Sequence, residues 1–426
     1  MASKVLMGDM PELMENLLNN LNNEFHSLFS CALVQEWINL ESVNSSKNRI
    51  IILLIKLLAE SGATLHKLDL SYSSSLDDEI NFAIFYSIGR HEQLFSQLRD
   101  LSLSLPQIST GSAAALLSIL TKNTTKIIAL KLDKFCSEFD QQLFQALIRI
   151  IESQEQLRLF SIIGEENLTE LHGIISALES HTNSLQEIMI NYCDYNAEIE
   201  VLKNCKKLET LRIRFCDTTL LKILNNKVRT LEIADFEIDA TTMVQILKKF
   251  GILLQQLKLE PYEGIREESL LLKSLKSFRP NITYLDISNI EFSIQLLDLI
   301  CNLQKLQFLT LWCTIDIPEQ ELKIRVMQFA KILPLTLQYL DLCNNPWLDL
   351  YLDILFNHCN APLKKLIINI LDNEKNTKAL IEFCLRNRAL NYVGLYSYWR
   401  LNDNFRKEME AYVSLVPYTR IVFPYL

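Results

Sequence analysis

The spacing of histidine, cysteine and carboxylate side chains limits the chemistry this sequence can hold. Six histidines, His26, His66, His91, His172, His181 and His358, are scattered with no His-x-x-x-His pair that would present two ligands from one helix face. Ten cysteines include no Cys-x-x-Cys. Isolated cysteines on apolar elements in a reducing compartment are small buried hydrophobes. No Gly-x-Gly-x-x-Gly or Gly-x-x-x-x-Gly-Lys loop offers N–H groups to a phosphate, and no Gly-x-Ser-x-Gly elbow raises a nucleophile. The expectation is a protein that is not an enzyme, with no catalytic residue, no metal and no cofactor.

Charge and hydropathy narrow the partners. The 426 residues carry 42 Lys and Arg against 51 Asp and Glu, a net charge of −9. Phosphate neutralisation needs clustered cations, so nucleic acid is not expected. The densest basic run, Lys203, Lys206 and Lys207, reads as a solvated helix end. Residues 1–9 lack the apolar run of a signal peptide. The stretch Ile50 to Ala59 is interrupted by Lys56 and is too short to span a bilayer. No membrane contact and a cytoplasmic or nuclear location are expected.

Hydrophobic residues make up 49% of the chain, with only 9 glycines and 10 prolines, so core material is ample. That material is periodic. Leu-x-x-Leu-x-Leu spacing begins at Leu65, Leu98, Ile127, Leu157, Leu185, Leu208 and Val228, and again at Leu254, Ile282, Leu306, Leu337, Leu363 and Leu390. The 325 residues from Leu65 to Leu390 contain twelve steps, a period of about 27. A degenerate Tyr418-Ile421-Phe423 is expected to close the series. The second and third apolar positions alternate with polar ones, the pattern of a half-buried strand. Helical spacing fills the intervals, as in Leu143, Phe144, Leu147, Ile148 and Ile151, or Leu296, Leu297 and Ile300. Short steps before Leu208 and Val228 leave room only for a tight connector.

This pattern resembles the leucine-rich repeat. The expected fold is α/β, a leucine-rich-repeat solenoid over residues 65–426 with about 13 to 14 repeats. A curved parallel sheet would lie on its concave side and helices on its convex side, because no single coil buries both of its faces. Leucine-rich repeats place Asn or Cys beyond the strand to bond backbone groups of the turn. Cys193, Cys216 and Asn345 fall there, while Ser73 and Thr314 stand in their place elsewhere. The concave face is expected to carry the partner site on Tyr284, Asp286, Phe308, Trp312, Tyr339, Asp341, Tyr392 and Tyr396, since aromatics on a rigid surface bring large contact area at little entropic cost. Cross-strand stacking without a partner is the other reading of the same residues.

Residues 1–40 do not follow the repeat, and 41–64 read as a linker and first convex helix. Pro11 suits a first helical turn, and Leu13, Met14, Leu17, Leu18 and Leu21 share one face. A second apolar run carries Phe25, Leu28, Phe29, Ala32 and Leu33. Met10-Pro11-Glu12-Leu13, Leu17-Leu18, Leu33-Val34 and Trp37 resemble an F-box of the fungal type, the short all-α module that docks the Skp-type adaptor of a cullin ubiquitin ligase. The interval from Val34 to Trp37 is one residue shorter than the family's usual spacing. The resemblance implies adaptor contacts at Pro11, Leu13, Leu17, Leu18, Leu33, Val34 and Trp37, with a Skp-type adaptor, a cullin and an unknown protein substrate as partners. The implied function is substrate recognition for ubiquitination. A helical cap on a free-standing repeat scaffold or inhibitor is the alternative.

Overall fold

The structure, a computed structural model, describes residues 62, 64–70, 92–104, 110–136, 138–168, 170–217, 220–221, 227–235, 238–278, 281–371, 373–401 and 403–421. The expected helical segment over 1–40 lies outside them, as does nearly all of 41–64. The chain forms two compact units, divided between Leu157 and Arg158.

In the first unit, β1 (Lys67–Leu70), β2 (Asp100–Ser104) and β3 (Ala129–Phe135) pair in parallel, with Leu68, Leu101 and Leu130 in one row and Leu70, Leu103 and Leu132 in the next. Both rows are buried. A 3-10 turn (Glu92–Phe95), α1 (Thr110–Asn123) and α2 (Gln141–Glu152) link or follow the strands. The expected apolar stripe of α2 is buried at Leu143, Phe144, Leu147 and Ile151, with Ala146 and Ile150 joining it and Ile148 half-exposed. Asp140 caps this helix, its Oδ1 accepting from Gln142 N–H at 2.9 Å. Buried Gln154 joins coils: Oε1 accepts from Ile127 N–H at 3.0 Å, and Nε2 donates to Thr124 O at 3.3 Å.

In the second unit the strands are β4 (Leu159–Leu168), β5 (Glu187–Cys193), β6 (Thr210–Arg214), β7 (Thr230–Ala234), β8 (Ile238–Asp239), β9 (Gln256–Glu260), β10 (Ile265–Arg266) and β11 (Tyr284–Glu291). They continue as β12 (Phe308–Thr314), β13 (Tyr339–Asp341), β14 (Lys365–Ile368), β15 (Tyr392–Leu395) and β16 (Ser414–Pro417). Apart from β8 and β10, which pair with each other, they stack in sequence order. The helices are α3 (Ala240–Phe250), α4 (Glu268–Phe278), α5 (Ile294–Asn302), α6 (Glu319–Ile332), α7 (Leu352–His358), α8 (Glu374–Arg386) and α9 (Asp403–Met409). Where the sequence steps are short, the connector Ala197–Asn204 is a 3-10 helix, which fits the tight interval before Leu208.

The thirteen hexads each become a strand beginning on the third residue. Their three apolar residues are buried throughout, and the residues at positions three and five of each hexad lie on the opposite, open face. This is the repeat architecture of the leucine-rich class. The closing hexad differs from expectation. Leu415 pairs with Val393 and Ser414 with Tyr392, so the strand after β15 runs from Ser414 to Pro417 with Leu415 buried. Tyr418–Arg420 is instead a 3-10 turn. Pro417 can follow β15 but donates no N–H onward, as suits a sheet edge.

The turn ladder is present where the residue type allows it. Asn345, 1% exposed, accepts from Cys313 N–H at 2.8 Å and donates to Leu311 O at 2.7 Å and Leu342 O at 3.1 Å. Cys216 reproduces this with sulfur, donating to Ile190 O at 3.3 Å or Arg214 O at 3.0 Å and accepting from Cys193 N–H at 3.4 Å. Thr314 reaches Ile290 O only at 3.5 Å, and Ser73 lies outside the described residues. Burial pushes the Cys216 thiol up to about 11, so it remains a protonated donor rather than a nucleophile. Asn345→Ala should strip two buried backbone groups, Cys313 N–H and Leu311 O, of their side-chain partner, while Leu342 O keeps the backbone N–H of residue 345, and lower stability by about 2 kcal/mol. Asn345→Asp, which retains the acceptor, should fall between. Urea denaturation of the purified chain measures both.

Candidate protein-binding surface

Parallel register converts sequence positions into columns on the open face of the second unit. Position three aligns Glu187, Thr210, Thr230 and Gln256 with Tyr284, Phe308, Tyr339, Lys365 and Tyr392. Position five aligns Arg212, Glu232, Lys258 and Asp286 with Thr310, Asp341, Ile367 and Gly394.

The first half of the surface is a charge lattice. Arg212 pairs with Glu187 on one side and with Glu232 on the other, at 3.0 Å. Lys258 reaches Glu232 at 3.9 Å, Glu260 at 3.2 Å and Asp286 at 3.6 Å. These groups are partly buried, so each cation holds a charged neighbour in a medium less screening than water. Arg212, Glu232, Lys258 and Tyr284 help to line a shallow depression. The position-five cations were not among the expected site residues. Their signal is present in the sequence, because alternating Arg212, Glu232, Lys258 and Asp286 appears once the hexads are aligned by their fifth residue.

An aromatic run follows. The rings of Tyr284 and Phe308 lie 6.3 Å apart, and those of Phe308 and Tyr339 6.1 Å, each pair tilted at 37°. Tyr284 O–H donates to Asp286 at 3.4 Å and Tyr339 O–H to Asp341 at 3.3 Å. Burial drives both carboxyls up. Asp286 rises to about 7 even with Lys258 beside it, and the neighbouring Asp341, Glu260 and Glu232 add to the effect. Burial likewise raises both phenols.

Of the expected partner residues, Trp312, Tyr392 and Tyr396 are exposed, at 38%, 44% and 43%. Tyr284 and Phe308 are half-buried. Tyr339 departs from expectation: it is 2% exposed and packs in a cluster with Cys343, Ile367 and Ile421. Ile421, which follows β16, belongs to the same buried cluster. Asp286, 7% exposed, is a buried partner of Tyr284 and Lys258 more than a free surface carboxylate. The seven expected adaptor residues, Pro11, Leu13, Leu17, Leu18, Leu33, Val34 and Trp37, lie outside the described residues.

Among the described residues no group of three His, Cys, Asp or Glu is placed to hold a metal ion, and no helix is long and apolar enough to cross a membrane.

No family model matches the chain, and no curated protein does. Solved structures are similar. The crystal structure of the Rad7 and Elc1 complex in yeast aligns over 96% of this chain and 98% of that one, at 13% identity and a TM-score of 0.46. LegL7, a leucine-rich-repeat-containing protein from Legionella pneumophila, aligns over 74% and 96%, at 13% identity and a TM-score of 0.38. Both scores lie below one half, so the repeat architecture rests on the chain's own register and turn ladder.

The raised Asp286 carboxyl has a signed consequence. The folded chain keeps that proton up to about pH 7, whereas an unfolded Asp releases it near pH ~3.9. Between these values the folded state binds more protons, so its stability falls as pH rises, by a total on the order of 4 kcal/mol once both forms are ionised. Asp286→Asn removes that loss. Its stability relative to the wild type should therefore grow between pH 4 and pH 8, as read from urea midpoints at the two ends.

Proposed function

We propose that this chain is the substrate-recognition subunit of a Skp-cullin-F-box type ubiquitin ligase, holding a target protein on the open sheet face of its second unit. The observation that carries the ligase assignment is the F-box-like run from Met10 through Leu17-Leu18 to Val34 and Trp37. For the target site, support comes from exposed Trp312, Tyr392 and Tyr396 on a sheet whose neighbouring strands display a charge lattice. Rigid aromatics contribute area, and ordered charges discriminate between partners.

In this reading the chain supplies proximity and orientation, and the transfer chemistry belongs to its partners. It requires no cofactor and acts in the cytoplasm or nucleus, where the ligase machinery is available. The shortened interval between Val34 and Trp37 favours a second reading, a free-standing repeat scaffold or inhibitor with no ubiquitin link.

Capture of a Skp-type adaptor by the purified full chain separates the two. The wild type should retain the adaptor, and a Pro11→Ala/Leu17→Ala chain should lose it. Failure of the wild type to bind defeats the ligase assignment. For the target face, Trp312→Ala/Tyr392→Ala should remove most wild-type neighbours found by proximity labelling in cells, since central aromatic anchors typically carry tenfold or more in affinity. Unchanged labelling would move the site elsewhere.

A further inference from the structure

The segment after β16 lies on the face just described. Tyr418, Thr419 and Arg420 are exposed, yet Ile421 is 7% exposed and buried against Tyr339, Cys343 and Ile367. Room for it comes from Gly394 at position five of its hexad. A Cβ there would stand 2.7 Å from Ile421 Cδ1 and 3.2 Å from Tyr418 Cα. The Tyr418 ring meets that of Tyr396 at 5.1 Å. The Ile421 N–H bonds locally, to Tyr418 O at 3.0 Å. Among the described residues, the buried Ile421 side chain, the Tyr418–Tyr396 ring contact and the approach of the Tyr418 backbone to Gly394 hold the segment down.

We propose that the Gly394 cradle is a docking site for a branched aliphatic side chain on a tight turn of a partner protein, three residues after an aromatic one, and that Tyr418 to Ile421 occupies it as an internal competitor. The inference rests on the reading of this face as protein-binding, and it names where the partner's anchor sits and what keeps it out. The chemistry of the occupant follows from the one seen in place. The cradle is apolar, is one Cβ deep at Gly394, and is flanked by the half-buried Phe308 and Val416. Burial of a single isoleucine favours the closed form by about tenfold to a hundredfold, so a partner segment with the same anchor can displace it.

Cys343, in the same cluster, reports on the cradle. In the full chain carrying Ile421→Ser, its alkylation by N-ethylmaleimide, followed by peptide mass mapping, should be about tenfold or more faster than in the wild type. Cys193 and Cys216 in the turn ladder should stay protected. The pentapeptide Pro-Tyr-Thr-Arg-Ile, copied from residues 417–421 and added at millimolar concentration, should slow Cys343 again, and the same peptide ending in Ser should not. A second variant, Gly394→Ala, fills the cradle with a methyl group: Cys343 should label faster there with no peptide protection. The inference is overturned by an unchanged Cys343 rate, by absence of peptide protection in Ile421→Ser, or by protection in Gly394→Ala. Simultaneous exposure of Cys193 and Cys216 would make Ile421 a core residue and overturn it as well. Peptide protection reads the cradle alone, so its failure is distinct from failure of adaptor capture or of the Trp312/Tyr392 test.

Discussion

One carbonyl per coil accepts two successive N–H groups from the next coil, and the rest of the structure depends on the registration this imposes. Arg229 O takes Gln255 N–H at 2.8 Å and Gln256 N–H at 3.0 Å; Gln255 O takes Thr283 and Tyr284; Thr283 O takes Gln307 and Phe308; Gln307 O takes Gln338 and Tyr339. The same fork recurs in the first unit, where His66 O receives Arg99 and Asp100 and Arg99 O receives Ile128 and Ala129. Each acceptor is the residue before its strand. Every strand therefore starts at one phase of the hexad, and its apolar pair faces the helices. A slip of one residue would turn Arg212, Glu232 and Lys258 into the core and Leu211, Leu231 and Leu257 into water.

Much of this was legible in the sequence, because it depends on local spacing. The hexads mark the strands, helical spacing marks α2 and α5, and Asn345 and Cys216 sit where a side chain can reach two coils. What was not legible depends on neighbours in space. Lys134, Tyr192, Phe215, Asp235 and Asn289 are all left-handed, with φ between 51° and 57°. Each stands five residues after the start of its strand. Only the Asn and Asp among them advertise that conformation. For Tyr192 and Phe215 the compensation is mutual: their rings stack at 4.2 Å and 10°, a contact between coils that no single repeat reveals. Burial of Tyr339 was equally hidden, since Ile421, which shares its buried cluster, follows some eighty residues later.

The open face of the second unit joins two kinds of surface with different demands. The lattice around Arg212 and Lys258 satisfies its own charges, so a partner gains there only by matching an arrangement already fixed. The aromatic run is anchored through Tyr284 and Tyr339 to carboxyls whose pKa burial raises, because a charge there is poorly solvated. A charge lattice and an aromatic run are thus set side by side on adjacent strands.

Strand order that follows chain order also has a mechanical meaning. Tension applied between the two ends of the second unit's sheet loads its ladders one after another, in the manner of a zipper, instead of shearing many hydrogen bonds at once. Each peeled coil frees between 20 residues (Thr210 to Thr230) and 31 (Phe308 to Tyr339), or about 70 to 100 Å of extended chain. Such a scaffold yields at low force in a staircase of unequal steps, and the step lengths would report the order in which its coils let go.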